Sequence, residues 1–412
     1  MITPLAQYEA IVGASTVAQL RRLGKKLSGL KVVHVNSTRE GGGVAEILEW
    51  MVPHMRDVGV NASWEVIHGD PMFFDITKSI HNGLQGKSVD FSPKDWRIYQ
   101  DVNEMNAVRL RPLLEDADIV VIHDPQPAGL LNFCPNRKGR WIWRGHIDIS
   151  SPFRPLWKVL RTFLEKYDAS VFSMAEFAQP LPHPQFVVPP SIDPLSEKNR
   201  DLDPAALSGV RSQFGLDPDR PLIVQISRFD RFKDPIGVIK AYRLVRKVIP
   251  VQLVLAGGGA ADDPEGKAVL EDVLEAAAGD LDIHVLLLPM DAHKTINALQ
   301  RLADIILQKS TREGFGLTVT EGMWKGKPVI GGDVGGIRLQ VVNYQTGFLV
   351  NTPEGAAHRI RFLLHHRERI SEMGEVAKEF VRGNFLLTRH LRECLTLFFA
   401  TRNMKKERTL HV

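Results

Sequence analysis

The feature that most constrains the fold is a repeated alternation of short, β-branched apolar runs with amphipathic segments. KVVHVNS (31–37) reads as a buried strand, and VAEILEWMVPHM (44–55) reads as the helix after it. ASWEVI (62–67), DIVVIH (118–123), WIWRGH (141–146) and ASVFS (169–173) repeat the strand signal. The pattern resumes later with LIVQIS (222–227), VQLVLAG (251–257), DIHVLLL (282–288), DIILQ (304–308) and PVIGG (328–332). Helical stretches fall between them, such as PIGVIKAYRLVRKV (235–248), and the chain reads as helical from about residue 353. Continuous apolar strands separated by helices imply α/β architecture, with a parallel sheet covered on both faces.

The alternation loosens around 190–220, where PPSIDPLSEKNRDLDP has the Pro, Asp and Ser content of a linker. A chain of 412 residues is also too long for one ordinary core. The expectation is two doubly wound Rossmann-like domains, residues 1–195 and 196–385, followed by a C-terminal helix and tail at 386–412. Ligands of such sheets bind beyond the C-terminal strand ends, and two facing sheets form a central cleft.

Charge and composition remove several function classes. The net charge is +4, and no Lys/Arg stripe appears before the short KKER near the C-terminus, so no nucleic-acid footprint is expected. A mild positive balance suits an anionic small substrate. The apolar runs are too short to span a membrane. MITPLAQYEAIVG lacks the basic and apolar regions of a signal peptide, and Cys134 and Cys394 lie far apart without metal-like spacing. The expected setting is the reducing cytoplasm.

Three glycines, Gly41, Gly42 and Gly43, follow the first strand, where backbone N–H groups can approach an anion or a sugar. Glu46 stands where the third glycine of a dinucleotide fingerprint belongs, so that oxidoreductase reading is weak and a plain turn stays open. HDPQP (123–127) and RGHIDIS (144–150) place Asp124, Gln126, His146 and Asp148 at strand ends. His146 and Asp148 alternate and would share one side of an extended segment. In ISRFDRFKDPIG (226–237), Arg228 leaves a strand end and Lys233 follows five residues on, just before a helix. That arrangement suits a diphosphate, although a solvated charged loop reads the same way. AGGG (256–259) is either a close-approach turn beneath a base or a turn alone.

The segment EGFGLTVTEGMWKGKPVI carries Glu313 and Glu321 eight residues apart. Gly314 and Gly316 frame a turn, and a helix over Leu317–Lys325 would direct its first N–H groups at a phosphate. A carboxylate has two acceptor oxygens that match vicinal sugar hydroxyls, so one can grip a hexose and the other a ribose. The competing chemistry, the acid and nucleophile of a glycoside hydrolase, does not account for Arg228, Lys233 or the glycines.

Together these residues resemble the retaining GT-B glycosyltransferases of family 4, whose hallmark is two glutamates separated by seven residues, preceded by an arginine and a lysine. HVNSTREGGGVAEIL, HDPQP, WRGHIDISSP, PPSIDPLSEKN and REGFGLTVTEGMWKGKPVIG are most similar to the group that makes α,α-trehalose from nucleoside-diphosphate glucose and free glucose. The retaining trehalose phosphorylases share much of this pattern. The resemblance implies that Arg228, Lys233, Glu313 and His146 act at the reacting centre. Glu321, Gly314, Phe315, Gly316 and Leu317 would hold the nucleotide sugar. Gly42, Gly43, Asp124, Gln126 and Asp148 would line the acceptor side. It further implies no obligatory cofactor, no protein metal site with Mg2+ at most a stimulant, a sugar and a sugar nucleotide as partners, a homodimer, and a C-terminal helix returning to the first domain. One departure stands out: Asp234 follows Lys233 where the family often has glycine.

Overall fold

A computed structural model describes residues 4–258 and 264–404. Gly259 and the KKER segment lie outside these residues. The chain forms two compact units, one made of the residues up to Pro190 together with those from Leu387 onward, the other of Ser191–Leu386.

The first unit is built on strands β1 (Lys31–Asn36), β2 (Asn61–Val66), β3 (Ile119–His123), β4 (Arg140–Arg144), β5 (Ala169–Phe172) and β6 (Gln185–Val187). They form one parallel sheet in the order β2-β1-β3-β4-β5-β6. Val32, Val33 and Val35 of β1 and Ile119 to Ile122 of β3 are buried, as strands covered on both faces must be. Each such side chain contributes about 1.5–3 kcal/mol of hydrophobic stabilisation. The strand order reverses between β1 and β3, which makes their C-terminal ends the natural ligand position.

The second unit carries β7 (Leu222–Ile226), β8 (Gln252–Gly258), β9 (Ile283–Leu288), β10 (Ile305–Gln308), β11 (Val329–Gly332) and β12 (Gly347–Val350). Their order, β12-β11-β10-β7-β8-β9, is that of a dinucleotide-type fold, with its reversal between β7 and β10. Its core packs Ile223, Leu253, Leu255, Ile305, Leu307, Ile330 and Phe348 against Val238 and Tyr242.

Both sheets have one strand more than the apolar runs indicate. β6 is three residues long and follows Pro180, Pro182 and Pro184, and β12 is four residues long. Each lies at a sheet edge, where a short strand leaves little periodicity to read. The stretch read as helical from about residue 353 is three helices, Pro353–His365, Arg367–Asn384 and Leu387–Arg402. The last packs against the helices Ala14–Lys26 and Gly43–Asp57 of the first unit. The Arg389 guanidinium on this helix donates to the Pro189 and Pro190 carbonyls at 2.9 and 2.7 Å.

The Pro/Asp/Ser-rich segment is not a free linker. Asn297 Nδ2 donates to the carbonyls of Glu197 and Arg200 at 2.9 and 2.8 Å, and Asn199 is buried. Its polar composition reflects internal partners instead of solvation, which composition cannot distinguish. In AGGG, a Cβ at Gly257 would lie 1.7 Å from the Ser227 carbonyl oxygen, so strand packing alone demands this glycine.

Candidate active site

In the second unit, Lys233 and Glu313 leave the C-terminal ends of the adjacent strands β7 and β10. Lys233 Nζ lies 2.5 Å from Glu313 Oε2, and the Ser310 hydroxyl donates to the same oxygen at 3.2 Å. Glu313 Oε1 has no hydrogen-bond partner among the described residues, which leaves an acceptor for a hydroxyl. Arg228 is the exposed member of the set: its side chain is 66% exposed and reaches Asp230 at 3.5 Å.

The turn between the two glutamates is fixed from beneath. Gly316 sits at φ +89° and caps the helix Leu317–Trp324, one residue shorter than expected. A Cβ on Gly336 would lie 2.4 Å from Phe315 Cα, so that position also requires glycine. Gln340 Nε2 donates to the Phe315 carbonyl at 2.6 Å, and the Gly336 N–H donates to the Glu313 carbonyl at 3.1 Å. The first N–H groups of a helix lack intrahelical acceptors and favour an anion, here just beyond the Gly-Phe-Gly turn that begins at Gly314.

Glu321 lies in the second turn of that helix, fully buried. Lys198 Nζ is 3.1 Å from Oε1, and Gln300 Nε2 donates to Oε2 at 3.2 Å. Burial pushes its pKa up, but the positive charges of Lys198 and Lys325 outweigh burial and hold the carboxyl below its ordinary range. Lys198 was not foreseen. It belongs to the segment whose composition reads as linker, and no local pattern connects it to a glutamate so far along the chain.

Asp234 accounts for the departure after Lys233. It adopts φ 47° and ψ 50°, the left-handed conformation that glycine takes most easily. Its Oδ1 accepts from the Gly237 N–H at 3.1 Å, capping the helix Pro235–Arg246, and its other oxygen pairs with Lys309. An aspartate tolerates this conformation and adds two contacts that glycine lacks.

In the first unit, the candidates cluster beyond β1, β3 and β4. Gly42 takes φ +93°, and Gly43 opens the helix Gly43–Asp57. Asp124 also has a positive φ of 64°, and its carboxylate accepts the His146 backbone N–H at 2.8 Å. Burial pushes its pKa up to about 7, although that hydrogen bond and Arg144 oppose the shift. β4 ends at Arg144, so His146 and Asp148 stand in the following loop and not on the strand. Asp148 Oδ1 accepts from the Ser150 N–H and hydroxyl, at 3.0 and 2.6 Å. Gln126 Oε1 is buried without a hydrogen-bond partner among the described residues.

Two buried histidines and the half-buried His146 line up here. His34 Nδ1 is 3.0 Å from His123 Nε2, and His123 Nδ1 is 2.9 Å from His146 Nε2. Burial depresses all three pKa values, that of His34 to about 3. His34 and His123 belong to segments quoted from the sequence, but neither was given a role, and nothing in the local pattern shows that they meet.

Comparison with known proteins places this geometry. Residues 34–179 match the family model of the trehalose synthase N-terminal domain, and residues 210–380 match glycosyl transferases group 1. The chain is 46% identical over 398 residues to a trehalose synthase of Pyrococcus horikoshii, covering 95% of both chains. It is 28% identical to a trehalose phosphorylase of Pleurotus pulmonarius, covering 87% of this chain and 55% of that one. Among solved structures, one from E. coli bound with UDP-2-fluoro glucose aligns with a TM-score of 0.74 at 16% identity, covering 91% of this chain and 99% of that one, a likeness of fold. Two parallel α/β units, the paired glutamates with their upstream cations, and identity running through both units lead to one conclusion: the chain belongs to the trehalose synthase family of GT-B glycosyltransferases.

Proposed function

We propose that this enzyme moves glucose from a nucleoside-diphosphate glucose to the anomeric hydroxyl of free glucose, forming α,α-trehalose with retention and in a reversible reaction. The observation that carries this reading is the 46% identity to a trehalose synthase across 95% of both chains. Glu313 takes hydroxyls of the donor glucose through its open oxygen, and Glu321 takes those of the ribose. Gly314, Phe315, Gly316 and Leu317 offer backbone groups to the donor. Arg228, Lys233 and the helix start hold the diphosphate. Gly42, Gly43, Asp124, Gln126 and Asp148 line the acceptor side, and His146 stands at the reacting centre on the loop that Asp124 holds.

The acceptor attacks on the face from which the leaving group departs. The C1–O bond to the diphosphate breaks as the new C1–O bond forms. The acceptor's hydroxyl proton passes to the departing phosphate oxygen, so no protein base is required. Negative charge grows on the diphosphate during this step. Lys233 and Arg228 therefore stabilise the transition state more than the bound substrate, which is what accelerates a reaction.

Glucose 1-phosphate as donor defines the alternative phosphorylase reading. Such a donor has no ribose, and it leaves a buried, charged Glu321 without a substrate partner. The two readings separate in parallel incubations of free glucose with UDP-glucose, ADP-glucose or glucose 1-phosphate. Release of nucleoside diphosphate together with a trehalase-sensitive disaccharide supports the synthase. Inorganic phosphate released only from glucose 1-phosphate overturns it.

A further inference from the structure

We infer that His34 and His123 form a hydrogen-bonded relay that fixes His146 as the Nδ1–H tautomer, so that His146 presents an N–H donor to a sugar hydroxyl at the reacting centre. The inference deepens the reading above and rests on its placement of His146.

Proton counting carries the first part. The three imidazoles are joined by two N···N contacts, at 3.0 and 2.9 Å. Each contact needs one proton, and each neutral ring has one to give. His123 is in both contacts and can donate in only one. Only two arrangements fill both gaps: every proton directed toward His146, or every proton directed toward His34. Any other leaves two protons or two lone pairs facing each other.

The ends of the relay decide between them. His34 Nε2 is buried and has no hydrogen-bond partner among the described residues. The surrounding wall includes Leu48, Met51 and Phe398, the last with its ring centroid 6.2 Å from that of His34. With the protons directed toward His34, this nitrogen would carry a buried N–H with no acceptor. Such groups are rarer in folded proteins than unpaired acceptors, because the lost hydrogen bond to water is not replaced. With the protons directed toward His146, the buried end is a bare lone pair. The N–H then emerges on His146 Nδ1, at the partly exposed end, where no protein group of the described residues takes it.

The neighbourhood keeps the rings neutral. Arg144, Arg389 and His390 bring positive charge or a further imidazole to the cluster, and the nearby acids are Asp124, tied to the His146 backbone, and Glu393, paired with Arg389. Arg144 is itself buried and donates to the Val188 carbonyl at 2.9 Å. A second buried cation beside it would be unfavourable. A neutral His146 can therefore serve as a hydrogen-bond donor with a defined direction, which an isolated imidazole lacks. His123 and His34 are positioning residues for it.

The test is a long-range proton–nitrogen spectrum of the full-length protein labelled with 13C and 15N, with the histidine ring signals assigned by through-bond correlation to the backbone and H34F, H123F and H146N as variants. The expected result is a protonated Nδ1 and a bare Nε2 on His34, His123 and His146. H34F, one ring away from His146's only relay partner, should turn the His146 signal into a tautomer mixture and lower kcat about 3- to 10-fold, with donor KM nearly unchanged. A protonated Nε2 on His146 in the wild type overturns the relay, and this holds even if every variant misfolds. A His146 signal unchanged in H34F overturns it too. Near wild-type transfer by H146N, alongside the expected spectrum, overturns the catalytic purpose of the relay and points to a misplaced His146, a failure of the underlying reading that the spectrum alone would not show.

Discussion

Lys233 and Glu313 meet at 2.5 Å across the point where the strand order of the second sheet reverses. In the proposed reaction this contact sets the cation for the diphosphate beside the acid for the hexose. The acid holds the ammonium in place before substrate arrives, and its second oxygen stays open. Removing the ammonium in K233A should lower kcat by about 10²- to 10³-fold, the usual cost of losing one prepositioned charge at a developing anion. Steady-state kinetics check this, and K233A turnover within a few-fold of wild type would refute the assignment.

The contact between Lys198 and Glu321 makes a prediction about stability. K198M leaves a fully buried carboxylate without its nearest cation and should cost about 3–5 kcal/mol near pH 7. The sign with pH follows from the depressed folded-state pKa of Glu321. Its stabilising share is present above the unfolded pKa and is lost as pH falls through the folded one. The difference between wild type and K198M should therefore shrink in acid, and the donor KM of the variant should rise. Denaturation of both proteins near pH 7 and near pH 4 checks this; a gap that does not change with pH would count against it.

Asp124 has the opposite sign. Its folded pKa is pushed up from 3.8 to about 7. Between those values the folded chain holds a proton that the unfolded chain has released, so this residue lowers stability as pH rises through that window. D124N keeps an acceptor for the His146 N–H and removes the titration. Relative to D124N, wild type should lose stability between about pH 4 and pH 7. Parallel pH–stability curves would show that the carboxylate ionises without penalty.

At Asp234 the stability order wild type > D234G > D234A is expected. Glycine keeps the left-handed backbone but loses the cap and the Lys309 pair. Alanine loses those and adds left-handed strain, for a total of about 2–3 kcal/mol. Thermal denaturation decides, and D234A as stable as wild type would contradict the capping role.

Much of this was legible in the sequence because it rests on local pattern. Buried β-branched runs located ten strands, and the glycines around Glu313 located the turn and helix start. The resemblance contributed roles for Arg228, Lys233, Glu313, Glu321 and His146. What escaped the sequence is non-local. Lys198 reaches Glu321 from a segment whose composition reads as linker. The His34–His123–His146 line joins two strands and the loop after a third, and nothing in the local pattern shows that these histidines meet. The edge strands β6 and β12 are too short to show a period.

The most direct test of the proposed reaction supplies UDP-glucose or ADP-glucose labelled with 13C at C1 of the glucose, together with unlabelled glucose, and reads the product by NMR. The expected product is α,α-trehalose with label in one ring only, formed in step with nucleoside diphosphate and with its α configuration retained. Labelled free glucose without disaccharide, or a disaccharide with any other linkage, would contradict the proposed transfer to the anomeric hydroxyl of glucose.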